Sequence, residues 1–215
     1  MDFLACLPNV FVVHKDYQII INLREPGACR LRVGNREIYE PGYGVYRTER
    51  RVHKFTLPQK LLDSACEYTV IYRRVTERKA YYSVSDPEEQ TKTFRFRPIT
   101  KETDIRGVYL ADVHGNYNPG NYPAAERAAR AFGEVDFYII NGDIGEIETE
   151  EMLVDINAFI GRLSGGELPV IIGRGNHDTR GKLAELLPDH IATDGDKTYF
   201  HFTLATFLVG LDDCR

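Results

Sequence analysis

The chain has 215 residues, 43% of them hydrophobic and 27% charged, with no low-complexity tract, so it can bury a core and has the length of two modest units. No run of about 18 apolar residues exists, which excludes a membrane-spanning helix; Asp2 and the early Pro8 do not suit a signal peptide, so a cytoplasmic protein is expected. The net charge of −5 divides unevenly: residues 1–98 carry 17 Lys and Arg against 12 Asp and Glu, or +5, and residues 99–215 carry 10 against 20, or −10.

This asymmetry reads first as two solvated surfaces of opposite sign that can dock on each other. The arginines of the first half are scattered along strands without a dense patch, so no nucleic-acid partner is indicated. Cys6, Cys29, Cys66 and Cys214 are far apart with no C-x-x-C pair, which argues for reduced thiols and against a zinc knuckle.

From about Val10 to Arg97 the pattern predicts short strands rich in Val, Ile, Tyr, Phe and Thr: 17–23, 29–33, 36–39, 44–48, 52–57, 67–75, 80–84 and 93–97. Turn signals such as Glu25-Pro26-Gly27 and Ser85-Asp86-Pro87 separate them. Seven or eight strands at this spacing predict an antiparallel β-sandwich over 8–98. Tyr68, opening a strand shortly after Leu62, resembles the tyrosine corner of immunoglobulin-like and fibronectin-like domains. Tyr39, Tyr43, Tyr46, Tyr81 and Tyr82 either line a groove or pack a two-sided sheet.

A polar linker is expected over 99–106, and then the texture changes. Strands are predicted over 107–111, 137–141 and 169–172, helices over 123–132, 148–163 and 182–187, and a hairpin from 198–203 with 206–211. Strands alternating with helices imply a mainly parallel sheet, giving a β then α/β chain overall. Each of the three strands ends in polar residues: Asp112-Val113-His114, Gly142-Asp143 and Gly175-Asn176-His177-Asp178. In a parallel sheet those ends share one edge, so two carboxylates, an amide oxygen and an imidazole converge although they span more than sixty positions. Such donors suit borderline divalent ions, Mn, Fe or Zn.

The order D-x-H, G-D, G-N-H-D, with 31 residues from Asp112 to Asp143 and 33 from Asp143 to Asn176, resembles the calcineurin-like metallophosphoesterase family over 107–215. The strand-rich first half is similar to the fibronectin-like domain that precedes the catalytic domain in proteins related to purple acid phosphatases. The resemblance implies a fibronectin-like β-sandwich followed by the N-terminal half of a metallophosphoesterase α/β sandwich. It implies that a dinuclear centre with a metal-activated water hydrolyses a phosphoric mono- or diester. By that resemblance Asp112 and His114 bind the first metal, Asp143 bridges both, and Asn176 binds the second. His177, steadied by Asp178, then faces the phosphate, and Arg180 is a further candidate for contact with it. The chain departs from purple acid phosphatases in having His114 at a glycine position and Glu146 at a tyrosine-ligand position. The family's closing histidines, including a G-H-x-H, have no counterpart, because after His177 only His190 and His201 remain. The expectation is therefore a truncated catalytic domain, inactive or weakly active alone, with a possible complementing C-terminal half. The alternative is a noncatalytic metal-binding or interaction module.

Overall fold

The computed structural model describes residues 2–42, 45, 47–198, 201–204 and 207–210. The first half supplies β1 (Asn9–Val13), β2 (Asp16–Asn22), β3 (Gly27–Val33), β4 (Arg36–Ile38), β5 (Val52–Pro58), the short α1 (Gln59–Ala65), β6 (Glu67–Arg78), β7 (Ser83–Ser85) and β8 (Gln90–Arg95). The second half supplies β9 (Gly107–Leu110), α2 (Asn121–Arg130), β10 (Phe137–Asn141), α3 (Glu150–Ser164), β11 (Pro169–Gly173), α4 (Leu187–His190), β12 (His201–Leu204) and β13 (Phe207–Gly210).

Six strands form one mixed sheet in the order β5-β2-β1-β11-β10-β9. Strands β1, β11, β10 and β9 run parallel; β1 pairs with β2 and β2 with β5 antiparallel. This sheet is the middle layer of the molecule. On one face Val10, Val12, Ile19, Ile21 and Ile171 meet Leu31, Val33, Tyr68, Val70 and Phe94 of a second, antiparallel sheet, β4-β3-β6-β7 with β8 on β6. On the other face Phe11, Val13, Ile20, Val170 and Ile172 pack in one core with Leu153, Ile156, Phe159 and Ile160 of α3.

The expected division into an 8–98 sandwich, a 99–106 linker and a 107–215 domain is therefore not a break between layers. The first-half strands do face each other as two sheets, but one of those sheets continues into the second half through the pairing of Val10 with Pro169 and Phe11 with Val170. The reason lies in β1, whose five residues are all buried: a strand without a polar side needs cover on both faces. Tyr68 confirms the junction, because its hydroxyl donates to the carbonyl of Gly166 (2.8 Å) in the second half and not to its own neighbourhood, as a tyrosine corner does. Gln18 and Thr193 exchange two hydrogen bonds (2.7 and 2.9 Å), and Asn9 Nδ2 donates to Asn157 Oδ1 of α3 (2.7 Å). The opposite charges of the halves meet in the pairs Arg50–Asp189 and Arg97–Glu134, the latter at 2.7 Å.

Helix α3 starts where Thr149 Oγ1 accepts from Met152 N (3.3 Å), carries Glu150 and Glu151 against its positive end, and stops at the left-handed Gly165. The helix expected over 182–187 is displaced: residues Ala184–Leu186 make a 3-10 turn and α4 begins only at Leu187. Pro188 explains the shift, since proline lacks the donor that a helix interior needs and fits its first turn. A strand over 44–48 is absent among the described residues there, and Tyr43 and Tyr46 lie outside them; Tyr39, Tyr81 and Tyr82 are exposed. The hairpin of β12 and β13 overlaps the expected ranges, β12 running one residue past 203; parts of those ranges lie outside the described residues, as does Cys214. Among the described residues no helix is long and apolar enough to cross a membrane.

Candidate metal centre

Strands β9, β10 and β11 end in register, Leu110 beside Ile140 and Asn141 beside Gly173, so their following loops emerge together. Those loops stay zipped beyond the sheet. Asp112 N donates to Gly142 O (3.2 Å), His114 N to Asp143 O (2.9 Å), Gly115 N to Ile144 O (2.9 Å) and Gly142 N to Gly173 O (2.9 Å). Asp112, His114 and Asp143 all sit at positive φ, 56°, 44° and 49°, a region that costs a residue with a Cβ. The glycines preceding Asp143 and Asn176 are required by space. A Cβ on Gly142 would stand 2.7 Å from the backbone of Gly175, and one on Gly175 would stand 2.3 Å from Asp143 Oδ1.

Donor atoms of His114, Asp143 and His177 all lie within 4.8 Å of one another, each residue half-buried. The two imidazoles meet edge to face at 4.6 Å. Asp143 Oδ1 accepts from His177 N (2.7 Å). The side-chain amide of Asn176 ends 3.1 Å from Asp143 Oδ2, and its other end lies 3.3 Å from an Arg180 guanidinium nitrogen. With nitrogen toward Asp143 the amide donates to the carboxylate and accepts from Arg180, satisfying both ends without a metal; with oxygen there, two acceptors face each other and the NH2 faces the Arg180 guanidinium, an arrangement that a cation between the oxygens and a shift of Arg180 would relieve. Oxygen ligands about 2.1 Å from one ion and at right angles stand about 3 Å apart, so the donor set fits a shared cation. Asp112 is peripheral: its side chain is 79% exposed and its Oδ1 lies 3.4 Å from His114 Nε2, outside the close group.

Asp178 does not hold His177 as the sequence suggested. It is 2% exposed, and its carboxylate accepts from Asp143 N (2.9 Å), Gly175 N (2.8 Å) and Ile144 N (3.2 Å). Burial pushes its pKa up from the usual carboxylate value, against the pull of those three donors. Its position clamps the second loop to the third. His177 Nδ1 instead faces Glu146 Oε1 (3.1 Å), which also lies 3.9 Å from His114 Nδ1. The sequence set Glu146 at the position of a tyrosine ligand, three residues past Asp143 on the same strand-end loop, but gave it no role beside the two histidines. Asn116 fixes its backbone from both sides, Oδ1 accepting from Glu146 N (2.5 Å) and Nδ2 donating to Glu146 O (2.8 Å).

His190 lies elsewhere, buried in α4 with Nδ1 3.3 Å from Asn157 Nδ2, and burial lowers its pKa to about 4. Two open cavities of about 520 and 570 Å³ also lie away from the centre, the first beside Arg30, Tyr39 and Arg73, the second beside Asn22, Arg50 and His190.

Residues 106–211 match the family described as Calcineurin-like phosphoesterase. Among solved structures the chain is similar to purple acid phosphatase PPD1 from yellow lupin (Lupinus luteus) seeds, with a TM-score of 0.57 and 12% identity. That similarity covers 94% of this chain and 43% of the lupin chain; at this identity it is a likeness of fold. No curated protein is significantly similar in sequence.

Proposed function

We propose, from the match of residues 106–211 to the calcineurin-like phosphoesterase family, that the protein serves metal-dependent hydrolysis of phosphoric esters, at a centre on the carboxyl ends of β9, β10 and β11. The observation that carries this reading is the convergence of His114, Asp143 and His177 with the Asn176 amide beside Asp143 Oδ2. In the proposal Asp112, His114 and Asp143 would hold one divalent ion, Mn, Fe or Zn, and Asp143 with Asn176 would hold a second. Bound there, such ions neutralise phosphoryl charge and acidify water.

The chain's own residues do the rest. Asp143 has one oxygen tied to His177 N, which fixes the rotamer of the shared carboxylate. His177, in its doubly protonated form, gives the leaving oxygen the proton of its free ring nitrogen while Nδ1–H stays on Glu146, and Arg180, within reach of Asn176, meets a phosphate oxygen. Asp178 holds the two loops that carry Asp143 and Asn176. The donors fall short of two full coordination shells, so the 215-residue chain is expected to bind metal more readily than it turns over. A fibronectin-like role for the first half, positioning substrate beside the α/β half, belongs to the same proposal.

Calorimetric titration with Mn(II) tests it: the wild-type chain takes up metal and Asp143→Asn loses that binding. Equal metal uptake by both, or none by the wild type, removes the assignment. Hydrolysis of p-nitrophenyl phosphate and its bis-ester by the metal-loaded protein then distinguishes a hydrolase from a noncatalytic metal-binding module.

A further inference from the structure

Glu146 touches both imidazoles of the centre, yet its contacts are not those of a loop-stabilising residue. Its backbone is already held at N and O by Asn116 (2.5 and 2.8 Å), so the fold of this loop does not need the side chain. Its side chain is 24% exposed and turns inward, with Oε1 3.1 Å from His177 Nδ1 and 3.9 Å from His114 Nδ1. No lysine or arginine pairs with it among the described residues, so the histidines are its partners there. On the far side of the His114 ring, Nε2 faces Asp112 Oδ1 at 3.4 Å. One carboxylate oxygen therefore lies against the same nitrogen of two rings, and the opposite nitrogen of His114 faces the Asp112 carboxylate.

We propose that Glu146 is a positioning residue that fixes the presentation of both histidines. It accepts the Nδ1 proton of His177 and attracts that of His114, leaving Nε2 of each ring for metal or substrate. A carboxylate behind a histidine selects the tautomer, locks the ring plane and raises the basicity of the opposite nitrogen. The affinity part of this inference rests on the metal reading above; the tautomer part does not.

The test is nitrogen-resolved NMR of the His177 and His114 rings in the metal-free protein at a pH where they are neutral, together with zinc titration of wild type, Glu146→Ala and Glu146→Gln. The expected wild-type tautomer carries its proton on Nδ1, most completely in His177. Glu146→Ala redistributes the proton to Nε2 and weakens zinc binding about 10- to 100-fold, while leaving the metal-free melting curve unchanged. Glu146→Gln, whose Oε1 accepts the same hydrogen bond, recovers most of the loss. A wild-type His177 protonated on Nε2 overturns the proposal, and this measurement decides even if a variant fails to fold. An alanine variant with unchanged tautomer and affinity, or a glutamine variant no better than alanine, overturns it as well. Wild-type protein that binds no zinc but shows the Nδ1 tautomer refutes the metal reading and leaves the positioning intact.

Discussion

Asp178 and His190 are two buried titratable side chains with opposite consequences. Asp178→Ala leaves three backbone donors, on Asp143, Ile144 and Gly175, without their acceptor. Relief of the carboxylate's own desolvation offsets part of that loss, so a destabilisation on the order of 3 kcal/mol is expected, read as a lowered melting point of the metal-free protein. His190 works through pH. Its folded pKa of about 4 lies below the ordinary 6.5, so between those values the unfolded chain binds a proton that the native chain refuses. Its contribution is full above pH 6.5 and is lost as pH falls toward 4, by about 3 kcal/mol in all. Urea unfolding at several pH values checks this: His190→Gln should flatten that part of the acid slope. At this scale the convergence of His114, Asp143 and His177 was readable from D-x-H, G-D and G-N-H-D, but their hydrogen-bond partners were not. Adjacency suggested that Asp178 serves His177, yet in the 3-10 turn His177–Thr179 successive side chains point about 120° apart. The true partner, Glu146, is 31 residues away, and no local pattern pairs them.

Among the elements, β10 and α3, set by local chemistry, lie within two residues of their expected bounds, whereas β1, set by a distant partner, had no expected counterpart. Strand β10 coincides with the expected 137–141 because its apolar run is closed by Gly142, and α3 is delimited by the Thr149 cap and Gly165. Strand β1 escaped notice because five buried residues without alternation carry no strand period; its parallel partner is β11, about 160 residues on. The strand-end loops are held by glycines in a way that a substitution can measure. Gly142 has φ +74° and no room for a Cβ beside Gly175. Gly142→Ala is expected to cost about 1–2 kcal/mol from the left-handed backbone, with more from the contact, and to spread the second and third loops. Thermal denaturation gives the first part, and weakened Mn(II) binding reports the second.

For the whole molecule, the shared middle sheet makes the two halves one cooperative body. Heat should unfold them in a single transition, with calorimetric and van't Hoff enthalpies in agreement; two resolved transitions would show that the sandwich and the α/β half melt separately. The amino-acid pattern conveyed strands in the first half and alternating strands and helices in the second but not their fusion, since the pairing of Phe11 with Val170 is invisible to any window of sequence. That pairing also sets a timetable. During synthesis the first three strands of the middle sheet, β5-β2-β1, leave the ribosome long before β11, and the open edge of β1 can be closed only after about residue 173 has emerged. Native topology of such high sequence separation folds slowly and leaves apolar strands uncovered meanwhile. The nascent chain therefore passes through a prolonged stage in which Val10 to Val13 stand at a bare sheet edge, the stage at which chaperone protection and misassembly compete for it.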